Sequence, residues 1–320
     1  MSSLRDRAGL GLFENASPRR TLKSAIGCVG IGLHGGANVR LTLRPAPCGT
    51  GIVFFRTDLN VTIPALYDHV TDTRLCTVVS LPENPAARVG TIEHVMAALS
   101  ACRIDDLIIE VDAAEIPILD GSSAPFLFLI ESAGITEHGG VREIIEILRP
   151  VRAENGEAFA ELRPHSAFAT GFDISLAIDF AAPAIGRQAF SISLTEENFA
   201  TDLAAARTFT LAAEVDALRK AGLAKGGSLA NAIVVDDRKI MNPEGLRWQD
   251  EFVRHKMLDV VGDIALAGAA ISGRFIGNRT GHALNNLLLR NLFANAANYR
   301  LVRQSFAGSA MHMAAAASPA

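Results

Sequence analysis

Hydrophobic and polar positions alternate with two distinct periods along this chain. In NVRLTLRPA, Val39, Leu41 and Leu43 are interleaved with Asn38, Arg40 and Thr42, the two-residue period of a half-buried strand. GIVFFRTDL, RLCTVVSL and DDLIIEVD read the same way. In GTIEHVMAALSAC the apolar residues Ile92, Val95, Met96 and Leu99 fall at helical spacing, with Thr91 placed to cap the helix. SSAPFLFLIESAG gives a second helix ending near Gly134. The polar stretch ITEHGGVRE then interrupts the pattern. Beyond it EIIEILRPV, AFAELRPHS and FDISLAIDF predict strands, and helices follow over residues 195–203 and 212–221. NAIVVDD is a strand, EFVRHKMLDVVGD a helix, and ISGRFIGNRTGHALNNLLLRNLF a strand, a turn and a closing helix.

The two halves repeat one another weakly. LTLRPAPCGTGIVFF and AELRPHSAFATGFDI both read as strand, Leu-Arg-Pro, turn, strand, and each half closes on a helix–strand–helix series. Two copies of one layered unit account for this, so the expected class is α+β: two similar domains, each a β-sheet packed with helices. The boundaries predicted are a flexible leader over 1–20, a first domain over 21–135, a linker over 136–142, a second domain over 143–303 and a flexible Ala-rich tail over 304–320. A chain of 320 residues is long enough for two such cores.

The helix EFVRHKMLDVVGD carries charge as well as an apolar stripe. Val253, Met257, Val260, Val261 and Ile264 form its core stripe. His255, Asp259 and Asp263 recur every fourth residue and fall within about 80° of one another on the helical wheel. Such an edge is commonly a surface pair, stabilising by a few tenths of a kcal/mol. It is also how imidazole and carboxylate one turn apart grip a divalent ion, given a further ligand from elsewhere. Eight histidines are available. His94 stands out because Glu93 precedes it near a helix start, where a carboxylate beside a ligand can act as a base. Periodicity does not establish that His94 meets His255.

The ordered series TIEHVMAAL, PILDGSSAPF, ARTF, AIVVDD, EFVRHKMLDVVGD and SGRFIGNRTGHALNN resembles the UDP-3-O-acyl-N-acetylglucosamine deacetylases, zinc amidases of lipid A synthesis. The likeness runs from about Thr21 to about Asn298 in unbroken order. It implies two similar α+β domains with the site in the cleft between them. It makes His94, His255 and Asp259 the zinc ligands, Glu93 the general base and His282 the acid, with Asp263 beside His282. It places Lys256, Phe209 and Thr208 against the substrate, the Thr208 hydroxyl also facing the oxyanion, and brings Leu33 and His34 of the loop GLHGG near it. A strand–helix insert over about residues 206–232, carrying Leu211, Val215, Leu218, Leu223 and Leu229, is implied to line an acyl passage.

This donor set leaves one zinc position open, as catalytic sites do; Fe²⁺ suits the same ligands. The implied reaction is hydrolysis of the N-acetyl group of an acylated UDP-sugar, an early committed step of lipid A synthesis. A metal site flanked by a base and an acid argues against a catalytically silent binder. The net charge of −4 and the lack of a basic patch argue against nucleic acid as a partner. No apolar run is long enough to span a membrane and no signal core is visible. Four scattered cysteines, Cys28, Cys48, Cys76 and Cys102, form no C-x-x-C pair and fit a reducing cytoplasm. A monomer is expected.

Overall fold

The computed structural model of the protein describes residues 17–165 and 171–303. The first half runs β1 (Pro18–Leu22), β2 (Ile26–Ile31), β3 (Asn38–Pro45), β4 (Ile52–Arg56), β5 (Val61–Pro64), β6 (Val70–Asp72), β7 (Val78–Leu81), β8 (Asn84–Val89), α1 (Glu93–Ala101), β9 (Leu107–Val111), α2 (Ala124–Ala133) and β10 (Ile135–Val141). The second runs β11 (Glu143–Ile147), β12 (Val151–Asn155), β13 (Ala158–Arg163), β14 (Phe172–Asp179), β15 (Arg187–Ser193), α3 (Glu196–Asp202), β16 (Phe209–Leu211), α4 (Ala212–Lys220), β17 (Ile233–Asp236), β18 (Lys239–Ile240), α5 (Glu251–Ala265), β19 (Ala270–Asn278), α6 (His282–Phe293) and β20 (Tyr299–Arg303).

The duplication is visible in strand order and direction. The first sheet is ordered β2-β3-β9-β4-β5, and the second contains β12-β13-β19-β14-β15. In both, the centre strand pairs antiparallel on one side and parallel on the other: β9 with β3 and β4, β19 with β13 and β14. The Leu-Arg-Pro matches fall at equivalent places, where β3 and β13 end. Each half also carries an insert between its edge strand, β5 or β15, and the helix that precedes its centre strand, α1 or α5. The insert is the small sheet β6-β7-β8 in one half and β16-β17-β18, with α3 and α4, in the other.

The alternation in β3 is reproduced as burial of Val39, Leu41 and Leu43. Helices α1 and α5 pack against each other between the two halves. At their crossing Gly262 is required by space, because a Cβ there would stand 2.0 Å from the Glu93 carbonyl oxygen. The contact also buries the polar edge of α5. His255, Asp259 and Asp263 are as buried as Val253 and Met257, so the helix has no solvent edge at these positions. Each fully buried side chain of the apolar stripe contributes about 1.5–3 kcal/mol, against a few tenths for an exposed i,i+4 pair. The stripe holds the helix, and its charges are free for chemistry.

Three local expectations change. Regular structure begins at Pro18, inside the stretch read as a leader; residues 1–16 and the tail 304–320 lie outside the described residues. The polar stretch 136–142 is largely strand β10, which pairs antiparallel with β1. Its polarity suits a two-stranded ribbon, tied to the first half through Asp106. That carboxylate accepts from the Arg19 guanidinium at 2.7 and 2.8 Å and from Gly51 N at 2.8 Å, and it lies 2.9 Å from His138 Nε2. Finally, Thr91 does not cap α1. Its backbone is left-handed, with φ 57°, the cap position falls on Ile92, and the Thr91 hydroxyl donates to Glu115 Oε1 at 2.9 Å.

Candidate metal and catalytic site

The first turn of α1 and the middle of α5 bring His94, His255 and Asp259 together, with one ligand-type atom from each within 4.8 Å of the others. Asp259 Oδ1 lies 3.4 Å from His255 Nε2 and 3.8 Å from His94 Nε2. The two imidazoles stand edge to face at 5.1 Å. His255 Nδ1 is 3.0 Å from the Ala206 carbonyl oxygen, which fixes its proton on that nitrogen and aims the Nε2 lone pair at the group. Burial, and then the neighbouring charge of His255, depress His94 to about 3. His255 is also lowered, by burial foremost. Both rings are therefore neutral donors at physiological pH. Burial alone would raise the Asp259 carboxyl, but His255, Lys256, His282 and His94 outweigh it and hold it well below the usual range.

Whether a metal fits can be judged from Asp259 itself. Its Oδ2 accepts from Lys256 Nζ at 2.6 Å, whereas its Oδ1 is buried with no hydrogen-bond partner. A buried ionised oxygen without a partner is costly. A cation between Oδ1 and the two Nε2 atoms removes that cost, so the residues fit a divalent ion held by His₂Asp. A second grouping, Cys48, Asp106 and His138, also lies within ligand spacing. It does not fit, because both Asp106 oxygens are already engaged by Arg19, Gly51 and His138.

Beside the three ligand-type residues lie a buried carboxyl, Glu93, and a part-buried imidazole, His282. Glu93 Oε2 accepts from Thr77 N at 3.0 Å, and Oε1 is 3.9 Å from His282 Nε2. Burial, with Asp259 and Asp263 adding to it, raises the Glu93 carboxyl to about 7. His282, the first residue of α6, has Nδ1 2.9 Å from Asp263 Oδ2. Burial opposes its charge, but Asp263 and then Glu93 prevail, and its pKa rises to about 9. Asp263 is fixed by Thr77 Oγ1 at 2.6 Å and Asn285 Nδ2 at 2.8 Å.

The remaining predicted residues are spread around this centre. Phe209 on β16 is half-buried, 6.2 Å from the His255 ring and packed on Phe252 and Phe180. Thr208 joins the halves through its backbone, donating to Gly121 O and accepting from Ile233 N, each at 2.8 Å. The wheel turns Lys256 about 100° from its neighbour His255 but leaves it, at i,i+3, on the side of Asp259. Its flexible stem brings Nζ to that carboxylate, and Asp259 first among its neighbours raises its pKa against burial. Leu33 and His34 lie on a loop whose carbonyls accept from Gly226 N at 3.0 Å and Lys225 N at 3.3 Å of the second-half insert. Neither ring nitrogen of His34 has a partner, although both are buried.

Four contributors escaped the sequence reading. Thr77 and Asn285 orient Glu93 and Asp263. Asn285 was discoverable in principle, since it lies on α6 one turn from His282; Thr77 comes from the first-half insert and carries no pattern. The third and fourth are Arg207 and Glu251. Arg207 Nε donates to Glu251 Oε1 at 2.9 Å, and Arg207 N to the same atom at 3.1 Å, which fastens the 206–209 segment to the start of α5.

A duplicated α+β fold whose two central helices jointly present a His₂Asp set and a raised carboxyl, with a charged imidazole from the start of α6 beside them, defines a hydrolase of the metal-assisted amidase class. Residues 19–294 match the family profile of UDP-3-O-acyl N-acetylglycosamine deacetylase, and the chain belongs to that family. It is 49% identical over 278 residues to the UDP-3-O-acyl-N-acetylglucosamine deacetylase of Idiomarina loihiensis, covering 86% of this chain and 89% of that protein. It is 46% identical over 276 residues to the protein of the same name from Shewanella halifaxensis, covering 85% and 88%. Among the described residues no helix is long and apolar enough to cross a membrane.

Proposed function

We propose that this protein hydrolyses the N-acetyl group of an acylated UDP-N-acetylglucosamine, an early step of lipid A synthesis, with Zn²⁺ or Fe²⁺ held by His94, His255 and Asp259. The observation that carries this reading is the unpartnered, buried Asp259 Oδ1 facing two neutral imidazole nitrogens. An ion held by these residues would supply Lewis acidity and lower the pKa of water at the site. Glu93 takes the proton of the attacking water as oxygen bonds to the amide carbon. The Thr208 hydroxyl donates to the oxyanion that develops. His282, charged at neutral pH by Asp263, delivers a proton to the departing nitrogen as the C–N bond breaks, giving acetate and the free amine. Lys256, Phe209, Leu33 and His34 hold the sugar nucleotide. The insert that includes β16 and α4 receives the acyl chain, with Val215 and Leu218 half-buried on one side of α4.

The test joins metal analysis to a deacetylation assay. The purified protein should contain about one equivalent of transition metal per chain, as one His₂Asp set implies. A strong chelator should abolish acetate release, and Zn²⁺ should restore it. Undiminished turnover in a verified metal-free sample would remove the metal from the mechanism. Turnover of other N-acetyl sugars at equal efficiency would widen the substrate class.

A further inference from the structure

A carboxylate away from the reacting groups joins three parts of the molecule. Glu115 follows β9 and is almost fully buried. Its Oε1 accepts from His34 N at 2.8 Å and from the Thr91 hydroxyl at 2.9 Å, and its Oε2 accepts from Gly35 N at 2.9 Å. The loop it grips is closed by Gly32 N to Ala37 O at 2.9 Å and Gly36 N to Gly32 O at 3.0 Å. On its other side this loop meets the second-half insert through Leu33 and His34, as described above. There is no slack in the junction: a Cβ on Gly226 would stand 2.3 Å from Gly32 O, and one on Gly32 would stand 2.6 Å from Glu115 Oε2.

We propose that Glu115 is a positioning residue for substrate, holding the Gly32–Gly36 loop across the cleft so that Leu33 and the His34 imidazole meet the sugar nucleotide in a fixed place. The inference rests on the reading of the site given above. Glu115 suits this role because only an ionised carboxylate accepts from all three donors without presenting a donor of its own. The His34 ring supplies the second observation. Both of its nitrogens are withdrawn from solvent yet meet no protein group, so the loop holds a polar ring ready for a partner outside the chain. Thr91 extends the effect, since it stands two residues before Glu93 in a left-handed conformation uncommon for a β-branched residue.

The decisive variant is Glu115→Gln in the metal-loaded full chain. Its amide NH₂ can only be turned toward a backbone N–H or the Thr91 hydroxyl, so the three-way grip is lost. Losing a charge-assisted hydrogen bond of this kind is expected to raise KM for the acylated UDP-sugar about tenfold or more, with a smaller change in kcat and wild-type metal content. The rise should largely disappear when the change is made on a His34→Ala background, as coupling through the loop requires. Gly32→Ala, which crowds Glu115 Oε2 while keeping every charge, should give the same KM signature and serves if the Gln variant fails to fold. An unmoved KM in folded variants, an equal rise on the His34→Ala background, or loss of metal with falling kcat would each overturn the proposal. Absence of turnover by loaded wild type would overturn the deacetylase reading and this one with it. Turnover with an unmoved KM overturns this one alone.

Discussion

Asp259 divides its two oxygens between different tasks, one saturated by Lys256 and the other left for a cation. On the proposed reading Lys256 would act on the metal, through Asp259, as well as on substrate. Lys256→Ala should weaken metal affinity about 10–100-fold, the usual result of removing a partner that orients a ligand, and chelator competition measures it. At saturating metal the remaining loss should fall on KM more than on kcat. Glu93→Ala should keep its metal and lose kcat by about 10²-fold or more, with KM little changed, if its carboxylate moves the water proton. A variant with normal turnover would return Glu93 to the role of a buried partner for Thr77. The raised pKa values set the pH dependence. Glu93, at about 7, must be deprotonated, and His282, at about 9, must be protonated, so activity should form a bell with Glu93 on its acid side. A bound dication would lower both values. Because the folded pKa of His282 lies above its ordinary value of about 6.5, the stability it contributes is full below that pH and is lost as pH rises through its folded value. Asp263→Asn removes the charge that raises it. The alkaline limb should then move to lower pH and kcat should fall, with metal content intact. If neither this change nor His282→Ala moves the limb, His282 is not the titrating acid.

The pairing of α1 with α5 sets the spacing of the whole site, and Gly262 sets the pairing. Gly262→Ala places a methyl group against the Glu93 carbonyl, where only backbone can yield. Overpacking of this sort costs about 1–3 kcal/mol, outweighing the roughly 1 kcal/mol that Ala gains over Gly in a helix. The expected outcome is a lower denaturation midpoint together with reduced kcat, since Glu93 must shift with its carbonyl. A variant as stable and active as wild type would show that the helices can part without harm. This element also marks where sequence reading succeeds and stops. The stripe of Val253, Met257 and Ile264 is a local pattern, so the helix was legible. That its opposite edge is also buried is not local, because α1 covers it from more than 150 residues away. Strand β15 was missed, its burial alternating only between half-buried and exposed positions, and β1 and β10 form a polar ribbon stabilised by Arg19 and Asp106 rather than by an apolar face. Thr91 looked like a cap because the residue type is right. The competing acceptor, Glu115, lies 24 residues on and cannot be seen from the local sequence.

At the level of the molecule, two copies of one layer meet at α1 and α5, the helices that precede their centre strands, and keep their inserts at equivalent points. Weak Leu-Arg-Pro similarity was enough to suggest the copying, because strand order within a layer follows from the chain path. A metal held as proposed would add to the stability of the assembled pair. Binding that occurs only in the folded protein stabilises by RT ln(1 + [L]/Kd), so the midpoint should rise with free Zn²⁺ and fall in chelator, more steeply for wild type than for His94→Ala. A melting curve indifferent to metal would deny the ion a place between the helices. The division of donors across the α1–α5 contact has a consequence for how the protein is made. The half that emerges first carries one proposed ligand, His94, and the proposed base, Glu93, and the later half carries the other two proposed ligands, His255 and Asp259. Neither half can template its own folding on the ion, as a zinc finger does. Metal uptake is then a late event that reports docking, and refolding followed by a signal from either sheet should run at the same rate with or without metal. The cell's supply of the ion would govern how much enzyme is active, leaving the rate at which the chain acquires its shape untouched.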